Sequence, residues 1–228
     1  MYGWICGLLV VILVLWIYFM QFHRIATDFA IFNDDFIKHP SLKTGDLILF
    51  KAYNNFNSIF TGSYFGHVGL VYIDPTGIPM MFESNGIEQT PLKSHHSKTG
   101  LFLTPLADRI KKYKGRCFWK PLNKPVSQHN IDDFTVFMKH ALNTFQYDYA
   151  VIISALVRGF GLRKYTTDTD CGQTAFLSLI KLGLLHVDEF DKNIFHNLKY
   201  VCKLTDLNGS PGYKYLDLVE IIDHPFAY

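Results

Sequence analysis

TDCGQTAFL, at residues 169–177, predicts a cysteine on the first turn of a buried helix. Asp170 fits the N-cap position, and Gln173 fits the capping-box position three residues later. Apolar residues follow at helical spacing, and Gly183 can end the helix. The unpaired N–H groups of a first turn and the positive end of the helix dipole both favour a thiolate. Cys171 is therefore a candidate nucleophile, and a buried structural cysteine is the alternative.

The composition predicts one domain with a sizeable core behind an apolar N-terminal segment. The chain has 228 residues, of which 49% are hydrophobic and 18% are charged, and its formal net charge is +2. So small a charge gives no electrostatic reason to expect nucleic-acid binding. The 4 cysteines are far apart and form no CxxC pair, so neither a disulfide framework nor a metal site is predicted. No cofactor is predicted, and a reducing compartment fits better than a secreted one.

The N-terminal stretch GWICGLLVVILVLWIYFM, at residues 3–20, carries no charge and has the minimum length of a membrane-spanning helix. The alternative, a cleaved signal peptide, would need a basic residue before the stretch and a small-residue cleavage site after it, and neither is present. We therefore predict a transmembrane anchor at 1–22, a tether at 23–43 and one domain at 44–228. Arg24 follows the span, so the positive-inside rule places the domain on the cytoplasmic side.

The rest of the chain predicts strands in its first half and helices beside them. Apolar runs bounded by turn residues indicate strands at 47–50, 66–73, 79–84 and 116–120, the middle two joined as a hairpin by the turn DPTG. A helix is predicted from Asn130, and residues 87–104 are predicted to be a loop. This order indicates an α+β fold with a mainly antiparallel sheet packed on helices.

A histidine and a carboxylate fall on the two strands of that hairpin. His67 follows Gly66 at the start of one strand, and Glu83 ends the other, which is otherwise apolar. Pairing of the two strands would put the carboxylate within reach of imidazole Nδ1 or Nε2. Taken singly, His67 reads as a core histidine and Glu83 as a solvated strand end. A thiolate nucleophile needs a base that is itself oriented, which favours a joint role for the two residues with Cys171.

The motifs GDLILF (45–50), GHVGLV (66–71), FE (82–83), YDY (147–149) and DC (170–171), in this order, resemble the circularly permuted, NlpC-like branch of the papain superfamily. That branch includes the YiiX-like proteins, poxvirus members and, more distantly, the lecithin retinol acyltransferase relatives. The resemblance covers residues 44–185. It implies a papain-like fold in which the histidine strand precedes the nucleophile helix.

The resemblance also implies roles for particular residues. Cys171 would be the nucleophile, His67 the base and Glu83 the third polar residue. The backbone at Gly172 and Gln173 would contribute to the oxyanion site, and YiiX-like members usually carry Ser-Glu at these two positions. The aromatic pair that is typical of the family matches two residues that would line the substrate groove or pack in the core: Tyr147 and Tyr149.

The function expected from these features is a membrane-anchored cysteine hydrolase or acyltransferase. It would act on an amide or ester bond, in a lipid, an acylated protein or a peptide, through a thioester acyl-enzyme. The resemblance to poxvirus members makes a viral origin plausible, and the chain would then be located in a virion or host membrane. The alternative is a catalytically inactive, membrane-tethered binding or structural module on the same fold.

Overall fold

A computed structural model of the chain describes residues 2–22, 29–52, 64–85, 100–144, 171–186, 201, 203–207, 209 and 211–222. Its helices are α1 (Tyr2–Phe22), α2 (Asn33–Ile37), α3 (Leu106–Lys111), α4 (Gln128–Thr144) and α5 (Cys171–Lys181). Its strands are β1 (Phe29–Phe32), β2 (Leu47–Ala52), β3 (His67–Ile73), β4 (Pro79–Asn85), β5 (Gly100–Pro105), β6 (Gly115–Lys120) and β7 (Val219–Ile222).

The strands form a 7-stranded sheet in the order β1-β7-β6-β2-β3-β4-β5. Strand β1 pairs with β7 in parallel, and all the other described pairs are antiparallel. In the central pair, Phe50 of β2 lies opposite His67 of β3. The prediction of an α+β fold with a mainly antiparallel sheet on helices is therefore confirmed.

Each face of the sheet has its own hydrophobic cluster, because successive side chains of a strand point to opposite faces. The first face, which we call the α5 face, packs Leu49 and Val68 against residues of α4 and α5. The second face, which we call the α3 face, packs Phe50 and Met81 against α2 and α3. The sheet is thus covered on both sides, and the very short apolar runs of β2 and β3 are buried on both faces.

Three predictions about local structure need correction. Residues 29–32, predicted to lie in a tether, form the edge strand β1, because β7 offers a partner from the far end of the chain. Residues 100–104, predicted as loop, belong to β5, whose partner is β4. Helix α4 begins at Gln128 rather than at Asn130, and the Ser127 hydroxyl accepts a hydrogen bond from the Asn130 N–H group. Each correction involves a contact between segments or a cap that local periodicity does not reveal.

The predicted transmembrane anchor forms helix α1, and its described side chains, at Trp4 and at 6–15, are exposed. Among the residues that the structure describes, no helix meets the length and hydropathy required of a membrane span. The structure therefore does not support the predicted transmembrane anchor.

Candidate active site

The hairpin of β3 and β4 brings the predicted histidine and carboxylate into contact. The distance between His67 Nε2 and Glu83 Oε2 is 2.6 Å. Glu83 is only 2% exposed, and the His67 side chain is 14% exposed. The sequence predicts a contact between Glu83 and either ring nitrogen of His67, and in the structure the contacting nitrogen is Nε2. This leaves Nδ1 as the nitrogen that can face another group.

A buried arginine holds the other side of the Glu83 carboxylate. Arg109, on α3, donates from Nε to Glu83 Oε1 at 2.5 Å and from Nη2 to Glu83 Oε2 at 3.1 Å. Arg109 is 1% exposed and is the largest fully buried side chain among the described residues. A two-pronged contact of this kind fixes the plane of the carboxylate as well as its position. His67, Glu83 and Arg109 therefore form one continuous chain of polar contacts.

The charge of Glu83 is set by two opposing effects. Burial raises the pKa of the Glu83 carboxyl, but the Arg109 guanidinium and the hydrogen bond from His67 outweigh it and hold that pKa at about 2. Glu83 is therefore a carboxylate at neutral pH and can only accept hydrogen bonds. It follows that neutral His67 carries its proton on Nε2 and has a free electron pair on Nδ1.

Aromatic rings enclose this polar chain on the α3 face. The Arg109 guanidinium carbon lies 4.7 Å from the Phe50 ring centroid and 5.3 Å from that of Tyr113. The Phe50 and His67 centroids are 5.4 Å apart, and those of Phe50 and Tyr113 are 4.7 Å apart. Burial raises the pKa of the Tyr113 hydroxyl, and the charge of Glu83 acts in the same direction while that of Arg109 opposes it. Tyr113 is therefore neutral at pH 7.

Cys171 is the first residue of α5, as predicted, and the helix ends near Gly183, which has a φ of 67°. Helix α5 packs on β3 and β4, the two strands that carry His67 and Glu83. The thiol is only 8% exposed and belongs to the hydrophobic cluster of the α5 face. His67 and Glu83, by contrast, contact residues of the α3 face. Cys171 is thus part of the α5-face cluster, whereas the His67 ring packs against Phe50 of the α3 face.

The remaining predicted site residues are only partly described. Gly172 and Gln173 lie in the first turn of α5 and are buried. Asp170, Tyr147 and Tyr149 lie outside the described residues, as do the paired histidines at 95–96. Within the described ranges, no group of three or more His, Cys, Asp or Glu side chains could hold a metal ion.

The sequence analysis missed Arg109, although a signal for it exists. Arg109 lies on the same face of α3 as the apolar Leu106 and Ile110, with Tyr113 continuing that face after the helix. A cation on the apolar face of a short helix needs a buried anion, and few carboxylates in this chain fall within apolar strands. That reasoning would have linked Arg109 to Glu83.

A cavity of about 650 Å³ lies elsewhere in the molecule. Lys43, Trp119 and Leu122 contribute to its lining, at the start of β2, whereas His67 pairs with Phe50 near the end of that strand. His67, Glu83 and Cys171 are not among its lining residues. The cavity is therefore not part of the candidate active site.

Comparison with known proteins yields distant structural likenesses only. No protein-family model matches the chain, and no curated protein matches it. Among solved structures, the chain is similar to the crystal structure of the metalloprotein YiiX from Escherichia coli O157:H7, with 18% sequence identity and a TM-score of 0.45. The match covers 81% of this chain and 98% of that one. That protein carries the name of the branch that the sequence resembles, but at this identity and TM-score the likeness supports no argument about the site.

Proposed function

We propose that this protein is a cysteine-dependent hydrolase or acyltransferase with a permuted papain-like fold, acting on an amide or ester bond. The observation that carries the proposal is the His67–Glu83 pair, since an oriented imidazole with Nδ1 left over is what a thiol nucleophile requires. Cys171 is the proposed nucleophile, because it begins the helix that packs on the strands of that pair.

In the proposed reaction, the Cys171 sulfur bonds to the substrate carbonyl carbon while Nδ1 of His67 takes the thiol proton. Backbone N–H groups in the first turn of α5 stabilise the oxyanion. When the intermediate collapses, the C–N or C–O bond breaks and Nδ1 returns the proton to the leaving amine or alcohol. Water or a second amine or alcohol then attacks the thioester and frees Cys171. Glu83 stays ionised throughout and stabilises the imidazolium.

A second candidate function is a binding or structural module that performs no turnover. Two observations favour it: Cys171 is nearly buried, and His67 and Glu83 contact the opposite face of the sheet from α5. In this case the His67–Glu83–Arg109 chain would serve only to stabilise the fold. The two candidates differ in whether His67 controls the reactivity of Cys171.

Thiol alkylation and acyl-adduct formation test whether His67 controls the reactivity of Cys171. In a Cys6→Ser background, which removes an exposed thiol, the full chain is treated with iodoacetamide or with p-nitrophenyl esters and anilides. Mass spectrometry then follows the peptide that contains Cys171. The enzyme proposal predicts a hydroxylamine-sensitive acyl adduct on Cys171 and turnover that disappears in Cys171→Ala. Adding alcohols or amines reports whether acyl transfer competes with hydrolysis.

Cys117 provides the matched control for these measurements. It is also a buried free cysteine, on β6, but it begins no helix. Cys117→Ala should leave turnover intact, and His67→Ala should slow alkylation of Cys171 by about 100-fold or more. The absence of turnover and of an acyl adduct in the Cys6→Ser chain, together with alkylation of Cys171 that is indifferent to His67→Ala, would establish the second candidate. Turnover that survives in Cys171→Ala would instead exclude Cys171 as the nucleophile.

Attachment to a membrane is a separate part of the proposal. It is supported by the uncharged sequence of residues 3–20 and by the exposed apolar side chains at Trp4 and along residues 8–15 of α1. Flotation of the full chain with phospholipid vesicles tests it, with the charged double variant Leu9→Glu/Leu13→Glu as the control. A full chain that stays at the bottom of the gradient would rule out attachment, without affecting the proposed chemistry.

A further inference from the structure

We propose that Arg109 is a positioning residue that fixes the Glu83 carboxylate and, through it, the Nε2–H tautomer of His67. This inference rests on the proposed function, for which the tautomer decides whether Nδ1 can take a proton. The first observation that supports it is the burial of the Arg109 guanidinium. A guanidinium that is 1% exposed is expensive to bury unless a carboxylate pairs with it, and Glu83 is its only charged hydrogen-bond partner among the described contacts.

The geometry makes the three side chains a single unit. The Nε and Nη2 groups of Arg109 both donate to the Glu83 carboxylate. Oε2 of that carboxylate contacts both Arg109 and His67. The carboxylate therefore cannot rotate to offer His67 a different oxygen without breaking a contact to Arg109. The Phe50 ring packs against both the guanidinium and the imidazole, so it limits movement of either group.

The chemical consequence concerns one proton. Without a cation beside it, a carboxyl as buried as Glu83 tends to be protonated, because low-dielectric surroundings disfavour its charge. A protonated Glu83 would donate its hydrogen to Nε2 of His67 and leave the other hydrogen on Nδ1. His67 could then not accept the thiol proton of Cys171. Arg109 prevents this by keeping Glu83 an acceptor.

The ionisable groups around Glu83 come from several elements and do not supply a substitute cation. They are His67 on β3, Arg109 on α3 and Tyr113 after α3. On β5, the residue opposite Glu83 is Phe102, which cannot ionise. Among these groups Arg109 is the sole permanent cation. If it is removed, only His67 remains to stabilise the negative charge of Glu83.

The matched control is a second arginine–carboxylate pair in the same sheet. Arg116, on β6, donates to Glu220, on β7, at 2.6 Å from Nε and 2.7 Å from Nη2. This pair is also two-pronged, but it has no described contact with His67 or Glu83. Arg116→Met therefore removes a similar interaction from the same sheet while leaving the His67–Glu83 pair in place.

The decisive readout is the tautomer of His67, measured by ¹⁵N NMR of the histidine-labelled full chain, with the His67→Ala variant used for assignment. Wild type and Arg116→Met should show His67 protonated on Nε2 at pH 8, and Arg109→Met should show Nδ1–H. Arg109→Lys should restore the wild-type tautomer in part, because it keeps the charge. A wild-type His67 protonated on Nδ1, or an Arg109→Met variant with the wild-type tautomer, would overturn the inference.

The pH profile of Cys171 alkylation supplies a second readout. In Arg109→Met the rate should fall about 10-fold at pH 6 and recover as the pH rises, so that its acid limb moves upward by about one unit. A uniform loss at every pH would indicate a merely structural role and would overturn the inference. If Arg109→Met does not fold, the wild-type tautomer and Arg109→Lys still decide. If Cys171 proves inert, the proposed function fails while the tautomer measurement still tests Arg109.

Discussion

Two buried carboxylates, Asp46 and Glu83, are held in opposite ways. Asp46 is 0% exposed and accepts from Trp119 Nε1 at 2.9 Å and from the Leu122 N–H group at 2.8 Å. Lys43 Nζ is 3.6 Å away, at the range of a weak ion pair. Glu83 is 2% exposed and is held directly by the cation Arg109 and by His67. The two carboxylates are thus similarly buried. Mainly neutral donors surround Asp46, whereas a permanent cation contacts Glu83.

The difference appears in the pKa of each carboxyl. Burial raises the pKa of Asp46 to about 6, and the opposing effects of Lys43 and the N–H donors are too weak to cancel it. The pKa of Glu83 is held at about 2 because Arg109 and His67 together outweigh a similar burial. Asp46 joins β2, β6 and the segment at Leu122, which is the work of a structural residue. Glu83 presents a fixed charge to a histidine, which is useful to a reaction.

The largest expected effect is that of Glu83→Gln on stability. It leaves the guanidinium of Arg109 buried without a counter-charge, and such a change costs about 3–5 kcal/mol of the free energy of unfolding. Denaturant unfolding at pH 7 measures it. The control is Glu220→Gln, whose ion pair with Arg116 is partly exposed and should cost about 1 kcal/mol. Equal costs for the two variants would mean that burial of the Arg109 pair contributes nothing special.

Asp46→Asn should cost about 2 kcal/mol at pH 7. An amide has one acceptor oxygen, so its NH₂ group must face either Leu122 N–H or the N–H donors of Trp119 and Lys43. The control is Asp74→Asn in the turn before β4. The hydrogen bonds from Thr76 and Ile78 to the Asp74 side chain all go to Oδ1, so asparagine can retain them and little change is expected. Matching unfolding curves for wild type and Asp46→Asn would remove Asp46 as a structural residue.

Gly45, next to Asp46, and Gly69, on β3, should also differ in how well they tolerate substitution by alanine. Gly45 precedes Asp46 with a φ of 97°, and a Cβ there would lie 2.7 Å from Leu122 Cδ1. Gly45→Ala should therefore cost about 2 kcal/mol through backbone strain and overlap. At Gly69, on β3, the three atoms nearest to an added Cβ all belong to the Met81 side chain, which can move, so Gly69→Ala should cost about 1 kcal/mol. Thermal unfolding compares the two, and a reversed order would contradict this account.

The smallest expected effect is a pair of opposite pH dependences. The pKa of Asp46 is raised when folded, so its contribution to stability is present below about pH 4 and is lost as the pH rises through about 6. The pKa of Glu83 is depressed, so its contribution is present above about pH 4.5 and is lost as the pH falls towards about 2. The cost of Asp46→Asn should therefore grow by on the order of 1 kcal/mol between pH 7 and 4.5, while that of Glu83→Gln stays constant. Urea unfolding at both pH values measures this, and a shared slope would show that the two carboxylates have similar surroundings.

Much of the fold could be predicted because it depends on local patterns. The apolar run 47–50 and the hairpin around the DPTG turn gave β2, β3 and β4 in nearly correct positions. The edge strand β1 and the strand β5 could not be predicted in this way, because each depends on a partner that is distant in sequence or weakly patterned. The membrane anchor illustrates a different limit, since hydropathy alone predicted a span that the described structure does not support.

Part of the candidate site could also be predicted from the sequence. Hairpin pairing brought His67 and Glu83 together because a turn of fixed length sets the register of its two strands. The roles of these residues and of Cys171 as catalytic groups remain predictions. The involvement of Arg109 was missed, and so was the burial of Asp46.

Local patterns in the sequence predicted where β2, β3 and β4 begin, that a helix starts at Cys171 and that His67 and Glu83 are neighbours, because these features follow from spacing within one segment or across one short turn. The tertiary structure alone decided which nitrogen of His67 meets Glu83, which cation neutralises that carboxylate and which face of the sheet each group occupies. These depend on how α3 and α5 pack against the sheet. Packing is decided by the fit of many buried side chains at once, and no short stretch of sequence contains that information.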